Sequence, residues 1–205
     1  MFEVVRQKSG APENVFHGNA NDDGAWSLDL EQTLARLNSA AASARLVLLL
    51  GTAFSFVHLL DGLSERKQRL QLPPGSRVME TGGYKGRARS MPKPKLHAFI
   101  TKRLGIPASH IVCEYGMSEL SSQAYDSVLD ATRDTQPVSR VFHFPPWARA
   151  QIISPETGRE VADGETGLLR VFDLANVFSV MAIQTEDLAM RRGDGFELLG
   201  RTALA

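Results

Sequence analysis

The stretch CEYGMSELSSQAYD, from Cys113 to Asp126, carries an unusual set of side chains at the end of a strand. The stretch follows a strand-like run, Ser109 to Val112. Within five residues, from Tyr115 to Glu119, it contains an aromatic ring, a glycine, a hydroxyl and a carboxylate. In open α/β sheets, ligands bind beyond the carboxyl ends of the strands, so this end predicts a binding site. The alternative is a strand followed by a turn in which Ser118 caps a helix beginning at Glu119.

The composition is that of a globular domain with a core of its own. Of the 205 residues, 43% are hydrophobic and 22% are charged, and 23 basic residues balance 23 acidic ones. A formal net charge of zero gives no field that favours nucleic acid or an anionic membrane surface. The longest apolar run, Leu46 to Leu50, is too short to cross a bilayer, and the start lacks a signal-peptide pattern. We expect a cytoplasmic protein without membrane insertion or a nucleic-acid partner.

The single cysteine, Cys113, excludes an internal disulfide and a cysteine-based metal cluster. Its position within a predicted strand favours a small core residue over an acyl carrier. The five histidines, at positions 17, 58, 97, 110 and 143, show no metal-ligand spacing.

The first half of the chain predicts alternating strands and helices. Residues 1–27, rich in Gly, Asn, Asp and Pro, are expected to be irregular, and Asp29 is expected to cap the helix that follows. Strands are predicted at 45–50, 76–80 and 109–112, with helices at 30–41, 52–63 and from Pro92 to Gly105. Such an order predicts a parallel sheet with flanking helices. Four basic residues of the third helix are expected to form a solvated face: Lys93, Lys95, Lys102 and Arg103.

The second half changes character. Short strands separated by turn sequences at 155–158, 164–167 and 193–195 predict a mostly antiparallel β lobe. The fold class predicted is therefore α/β, with a parallel-sheet lobe at about 28–134 followed by a mostly β lobe at 135–205.

A second predicted strand also ends in unusual residues, Thr81-Gly82-Gly83, followed by a basic loop with Lys85, Arg87 and Arg89. Glycines let the backbone approach a flat ligand closely, and the basic side chains can meet anionic groups. A Gly-Gly turn beside a solvated basic loop explains the same residues without a ligand.

Three segments in order resemble a known family. Glu114 to Glu119 resembles the YG-x-[ST]-E motif of the adenylate-forming superfamily. Taken with LLLGTAFSFVHLLD (48–61) and METGGYKGRAR (79–89), the segment EYGMSELSSQAYD (114–126) is similar to the acyl-protein synthetases. The latter include the long-chain-fatty-acid luciferin-component ligase of bacterial luminescence, and the similarity runs from about residue 46 to residue 201.

The resemblance implies a nucleotide site. Gly82 and Gly83 correspond to the superfamily's glycine turn, which lies against adenine, and Tyr115 corresponds to the residue that stacks on that ring. Gly116 belongs to the same motif and is counted with the nucleotide-binding residues.

The phosphate and ribose contacts are implied in the same way. Ser118 would contact the α-phosphate, and Glu119 would place Mg²⁺ between the phosphates and the acyl carboxylate. QTED at 184–187 resembles the superfamily's TGD motif, whose aspartate, here Asp187, holds the ribose hydroxyls. Arg201 matches the start of the hinge motif, whose arginine also reaches the ribose. Without the resemblance, Asp187 and Arg201 would be an ordinary charge pair at a β edge.

The activity implied is ATP- and Mg²⁺-dependent activation of a carboxylic acid, with long-chain fatty acid as the expected class. The acyl group would then pass to a protein thiol or another nucleophile, so the implied partners are an acyl-accepting or reductase protein. The superfamily's phosphate-wrapping loop and C-terminal lobe have no counterpart in the sequence. We therefore expect the later part of a nucleotide-binding lobe, which binds nucleotide weakly and turns over poorly by itself.

Two other functions stay open from the sequence. Ser118, Asp134 and His143 occur in the chain order of a serine hydrolase, although Leu120 stands where the nucleophile elbow has its second glycine. A non-catalytic interaction module built on the same fold would also explain the missing phosphate loop.

Overall fold

The computed structural model describes residues 2–8, 10–11, 13–22, 26–83, 91–128 and 140–202. The chain divides into two compact units, residues 1–111 and 112–205. The predicted division at 134/135 falls outside the described residues and stays a prediction. The predicted fold class is confirmed, because helices flank a parallel strand pair in the first unit and the second unit is antiparallel β.

The first unit contains four helices and four strands within its described residues. These are α1 (Phe2–Lys8), β1 (Gly18–Ala20), β2 (Trp26–Leu28), α2 (Leu30–Ala42), β3 (Leu48–Thr52), α3 (Ala53–Glu65), β4 (Arg77–Thr81) and α4 (Lys93–Leu104). The strands β3 and β4 pair in parallel, with Leu48 opposite Arg77, and β1 and β2 form a separate antiparallel ribbon. The expectation that residues 1–27 are irregular is wrong for α1 and for this ribbon.

The three long helices begin, end and bury their faces as their sequences predict. The Asp29 Oδ1 atom accepts a 3.0 Å hydrogen bond from the Gln32 amide and caps α2. Gly105 ends α4 in the left-handed conformation, at φ +72°, which costs glycine little. The helices bury one apolar face each around a common core, which includes Leu34, Leu37, Phe56, Leu60, Leu63, Leu96 and Ile100.

The second unit is an antiparallel sheet. After a short 3-10 turn at Ala108–His110, its strands are β5 (Ile111–Tyr115), β6 (Ala124–Val128), β7 (Arg140–His143), β8 (Ala148–Ile153), β9 (Thr166–Asp173), β10 (Ala182–Arg192) and β11 (Gly195–Arg201). Their order across the sheet is β5-β6-β7-β11-β10-β9-β8. The strand β5 begins at the last residue of the first unit, and the predicted hairpins in this half of the chain are confirmed.

The strand before the YGMSE segment differs from its prediction. It runs from Ile111 to Tyr115, beyond the strand-like run at 109–112. The prediction that Cys113 is a core residue within a strand is confirmed, and Tyr115 is a buried strand residue as well. The alternative of a helix starting at Glu119 is wrong. Glu114 and Tyr115 pair with Tyr125 and Ala124 of β6, so the chain reverses between the strands through a turn.

Aromatic rings and alternating strands build the core of the second unit. Phe142 and Phe196 stack with ring centroids 5.4 Å apart, and Tyr115 meets both rings edge-on. Along β9 the inward positions alternate with outward ones, as a half-buried strand requires. The buried inward residues are Gly167, Leu169, Val171 and Asp173.

Among the described residues, none of the helices combines the length and the apolar character that spanning a membrane would require.

Candidate functional site

Three predicted site residues meet at one carboxylate. The Tyr115 hydroxyl donates a 2.6 Å hydrogen bond to Asp187 Oδ2, and Arg201 Nε donates a 3.2 Å hydrogen bond to Asp187 Oδ1. Tyr115 lies on β5, Asp187 on β10 and Arg201 on β11. Residues far apart in the sequence thus share one hydrogen-bonded group within the second unit.

The Asp187 carboxylate is placed by its strand pairing. Asp187 is directly opposite Arg201 in the antiparallel register of β10 and β11, which brings the opposite charges together. The pairing of β10 with β9 is irregular between Gln184 and Leu188, and Thr185 stabilises this break. The Thr185 hydroxyl donates to the Leu169 carbonyl at 2.8 Å and accepts from the Asp187 amide at 3.1 Å.

Exposure differs sharply between the two charged partners. The Asp187 side chain is 12% exposed, whereas the Arg201 side chain is 77% exposed. An exposed arginine adds little stability by itself, so the buried bond from Tyr115 holds the carboxylate more firmly. A carboxylate has about four lone-pair sites, so these two bonds leave Asp187 room to accept further hydroxyl donors.

The Tyr115 ring is buried and its hydroxyl stays protonated. Burial is the main cause that raises the pKa of Tyr115 well above its ordinary value, and the hydrogen bond to Asp187 and its charge raise it further. Phe142, Phe144 and Phe196 meet the ring edge-on, with centroids 5.6 to 6.3 Å away. The geometry makes Tyr115 the fixed support of Asp187, and stacking on a base stays a prediction.

Ser118 and Glu119 form the exposed turn that follows β5. The Ser118 hydroxyl donates to Glu119 Oε2 at 3.1 Å, and both residues leave oxygen atoms accessible. Magnesium prefers oxygen ligands and is often held by one or two carboxylates together with substrate phosphates. The donor set of this turn therefore fits the predicted Mg²⁺ contact at Glu119.

Two residues beside this turn were missed from the sequence. Asp173 is 1% exposed and accepts hydrogen bonds from the Ser121 and Ser122 amides, at 3.0 and 2.8 Å. Asn176 donates from Nδ2 to the Glu119 carbonyl at 2.8 Å. The alternation of β9 was the available signal, because Asp173 occupies an inward position two residues after Val171.

The pKa of Asp173 agrees with this placement. Burial pushes the pKa of the carboxyl upwards, but hydrogen bonds from Ser122, Ala175 and Ser121 outweigh burial, and the pKa lies below its usual value. Asp173 is therefore charged in the folded chain and saturated by donors.

Gly116 has a local structural reason to be glycine. A Cβ atom at this position would lie 2.4 Å from Glu114 Oε1, and Glu114 is buried. A larger residue would displace that side chain. The nucleotide role predicted for Gly116 stays a prediction.

The predicted glycine turn lies in the first unit, directly after β4. Gly82 has a φ of +67°, a conformation that glycine adopts readily. Lys93 donates from Nζ to the Gly82 carbonyl at 3.1 Å and also to the buried Glu80 carboxylate. The expectation that Lys93 belongs to a purely solvated face is therefore wrong. The basic residues Lys85, Arg87 and Arg89 lie outside the described residues.

Glu80 has a second partner. His97 Nε2 lies 3.1 Å from Glu80 Oε1, and both side chains are buried. Like Asp173, Glu80 occupies an inward strand position, two residues after the buried Val78.

The hydrolase alternative receives no geometric support from the described residues. The Ser118 hydroxyl bonds to Glu119, and His143 Nε2 lies 3.3 Å from Asp194 Oδ1. Asp134 lies outside the described residues. In the described part of the chain, no three His, Cys, Asp or Glu side chains gather into a metal-binding group.

The fold of the chain is similar to the folds of solved structures that hold ATP or an acyl-adenylate. The complex of McyG A-PCP with phenylalanyl-adenylate matches with a TM-score of 0.58 and 17% identity, over 85% of this chain and 29% of that one. ATP-bound MatB from Rhodopseudomonas palustris matches with a TM-score of 0.54 and 18% identity, over 85% of this chain and 33% of that one. At these identities the similarity establishes the fold alone.

Sequence comparison identifies the family of the chain. The family model described as "Acyl-protein synthetase, LuxE" matches residues 16–196, and the chain belongs to this family. The long-chain-fatty-acid–luciferin-component ligase of Aliivibrio fischeri is 25% identical over 167 residues, which is 80% of this chain and 41% of that protein. The chain thus spans less than half the length of this relative.

Proposed function

We propose that the chain is the nucleotide-binding part of an acyl-protein synthetase that activates a carboxylic acid with ATP and Mg²⁺. The observation that carries the proposal is the hydrogen-bonded bridge from Tyr115 through Asp187 to Arg201, because it joins three residues that the sequence resemblance assigns to nucleotide binding. Family membership supports acyl-adenylate formation, and long-chain fatty acid is the substrate class we favour.

The proposed chemistry has two steps. A carboxylate oxygen of the acid attacks the α-phosphorus of ATP, the bond to the β-phosphate bridging oxygen breaks, and pyrophosphate leaves. A nucleophile, which we propose to be a thiol of an acyl-accepting or reductase protein, then attacks the acyl carbonyl and AMP leaves. The protein contributes mainly by positioning the reactants and neutralising charge.

The residues of the second unit take separate parts in this scheme. Asp187 accepts hydrogen bonds from the ribose hydroxyls through its remaining lone pairs, and Arg201, largely exposed, completes the ribose contact. The Ser118 hydroxyl donates to an α-phosphate oxygen, and Glu119 holds the metal. Bound Mg²⁺ would neutralise charge on the phosphates.

Within the second unit, Gly116 and the Tyr115 ring are assigned to the adenine, and the adenine role of Gly82 and Gly83 in the first unit stays a prediction from the resemblance. The described Gly82–Gly83 backbone presents no side chain to a flat ring, and Lys93 fixes the carbonyl of Gly82. We regard Tyr115 as the support of Asp187 first, and as a stacking partner second, because three phenylalanine rings already contact it.

The test is binding of Mg²⁺–ATP and of a non-hydrolysable acyl-adenylate analogue to the chain, by calorimetry. We expect Asp187→Asn to weaken binding of both ligands about tenfold or more, since each lost ribose bond to a charged group is worth roughly 1.5–3 kcal/mol. Asp194→Asn is the matched control, because the Asp194 side chain is 93% exposed. Equal affinities for wild type and Asp187→Asn would contradict the assignment.

Catalysis needs its own assay. The chain is incubated with ATP, Mg²⁺, a long-chain fatty acid and labelled pyrophosphate, and label entering ATP reports the first step. We expect slow exchange that Glu119→Gln abolishes. Rapid exchange that persists in Glu119→Gln would remove Glu119 from the mechanism.

A further inference from the structure

The carboxylate of Asp173 has all its acceptor sites engaged. Oδ2 accepts from the amides of Ser121 and Ser122, at 3.0 and 2.8 Å. Oδ1 accepts from the Ser122 hydroxyl at 2.8 Å and from the Ala175 amide at 3.0 Å. Four donors match the about four lone-pair sites of a carboxylate, so this buried group acts as a rigid anchor for the segment after Glu119.

Asn176 completes the attachment from the same connection between β9 and β10. Its Nδ2 atom donates to the carbonyls of Glu119 and Val180, both at 2.8 Å, and its Oδ1 atom accepts from the Ser121 hydroxyl at 3.1 Å. The residue is only 9% exposed. The backbone from Glu119 to Ser122 is thus held by two side chains more than 50 positions later in the sequence.

We propose that Asp173 and Asn176 are positioning residues that fix the direction of the Glu119 carboxylate. This inference rests on the proposed function, in which Glu119 holds Mg²⁺. The Glu119 carboxylate accepts a 3.1 Å hydrogen bond from its neighbour Ser118, so both groups are carried by the same turn, and the position of that turn limits where the carboxylate can lie. The carbonyl of Glu119 itself is bound by Asn176, and the next residues are bound by Asp173.

The chemical consequence concerns metal affinity. A ligand carboxylate held by an ordered backbone loses little freedom when the metal binds, and outer partners of metal ligands commonly contribute about 10- to 100-fold in affinity. Loosening the turn should therefore weaken Mg²⁺ binding and leave contacts at the base and ribose intact. A merely structural role would instead lower stability without a selective change in the metal dependence.

The experiment uses the full chain and titrates Mg²⁺ at fixed ATP. In Asn176→Ala we expect the Mg²⁺ concentration for half-maximal binding to rise about tenfold, while ATP affinity in EDTA stays unchanged. The matched control is Asn38→Ala, which removes an asparagine bond to the Leu34 carbonyl within helix α2 of the first unit. Asn176→Asp is the second variant, because it keeps the shape and loses the two Nδ2 donors. An unshifted Mg²⁺ midpoint in a folded variant would overturn the inference.

A nucleotide-free measurement separates this inference from the proposed function. Amide hydrogen exchange at Ser121 and Ser122 is followed in wild type, Asp173→Ala, Asn176→Ala and Asn38→Ala. We expect exchange at least about tenfold faster in Asp173→Ala and Asn176→Ala than in Asn38→Ala. Asp173→Ala removes the acceptor of both amides, and Asn176→Ala removes a side chain that holds the same backbone segment. If wild type binds no nucleotide, the proposed function fails, and faster exchange still supports the positioning of the turn. Unchanged exchange would overturn the positioning itself.

Discussion

The hydroxyl of Tyr115 reaches Asp187 across 72 positions of sequence with a 2.6 Å hydrogen bond, and both side chains are buried. The bond explains why an aromatic residue with a hydroxyl ends β5 next to three phenylalanines. Phenylalanine would fill the same space, but it would leave a buried carboxylate oxygen without its donor. The pair therefore links the YGMSE segment to β10, whose Asp187 is predicted to bind the ribose.

Tyr115→Phe should destabilise the second unit by about 2 kcal/mol, because a bond to a charged, buried acceptor is lost. The measurement is urea unfolding followed by Trp147 fluorescence in a Trp26→Phe background, so that the reporter lies in the second unit. Tyr125→Phe, at a residue that is 38% exposed, serves as the control and should cost less. Equal losses in the two variants would contradict the importance of the Asp187 bond.

The raised pKa of Tyr115 also predicts how stability depends on alkaline pH. In the unfolded chain the phenol loses its proton near pH 10, whereas the folded chain keeps it to higher pH. The contribution to stability is therefore complete below pH 10 and decreases above it, by about 1.4 kcal/mol per pH unit. The stability difference between wild type and Tyr115→Phe, measured at pH 9, 10 and 11, should shrink along that series. A constant difference would show that Tyr115 titrates normally in the folded state.

The sequence predicted the local features of the fold better than its long-range ones. The Asp29 cap, the Gly105 helix end and the turn at 193–195 depend on neighbouring residues, and all three are confirmed. The ribbon of β1 and β2 was missed because each strand has only three residues, which is too short to show an alternating pattern. The extent of β5 was missed because its last residues are polar or aromatic, and pairing with β6 decides their conformation.

The candidate site likewise contains residues that were predicted from the sequence and residues that were not. Tyr115, Asp187 and Arg201 were found through the resemblance, since no local pattern relates residues on three strands. Asp173 and Glu80 were not singled out, although each stands at an inward position of its strand where the pattern calls for an apolar residue. Burying a charged side chain costs folding free energy unless it is hydrogen-bonded or paired. A charged residue at an inward position of the alternating pattern is therefore expected to have a bonding partner.

Glu80 gives a prediction for the first unit. Its carboxylate is fully buried and bonds to Lys93 and His97, so Glu80→Ala removes the buried partner of His97 and one of the acceptors of Lys93, which keeps its bond to the Gly82 carbonyl. We expect a loss of about 3 kcal/mol, at the lower end for broken buried pairs, because Lys93 is partly exposed and can turn to water. Unfolding is followed by Trp26 fluorescence in a Trp147→Phe background. Glu31→Ala is the control, since its side chain is 78% exposed and pairs with Arg66 on the surface.

The control should change stability by less than about 1 kcal/mol, as exposed ion pairs do. A Glu80→Ala loss as small as that of Glu31→Ala would mean that the carboxylate contributes nothing beyond a surface pair.

Two phenylalanines of the second unit allow the stability contribution of a buried ring to be compared with that of an exposed ring. Phe196 is fully buried and stacks on Phe142, whereas Phe178, between β9 and β10, is fully exposed. Phe196→Ala should cost about 4 kcal/mol, because it removes a large buried ring and leaves a cavity beside Tyr115. Phe178→Ala should stay within about 0.5 kcal/mol, since no buried contact is lost. Both variants are compared by urea unfolding with Trp147 as the reporter. A loss in Phe178→Ala comparable to that in Phe196→Ala would mean that the connection between β9 and β10 packs against the unit in solution, contrary to the exposure of its ring.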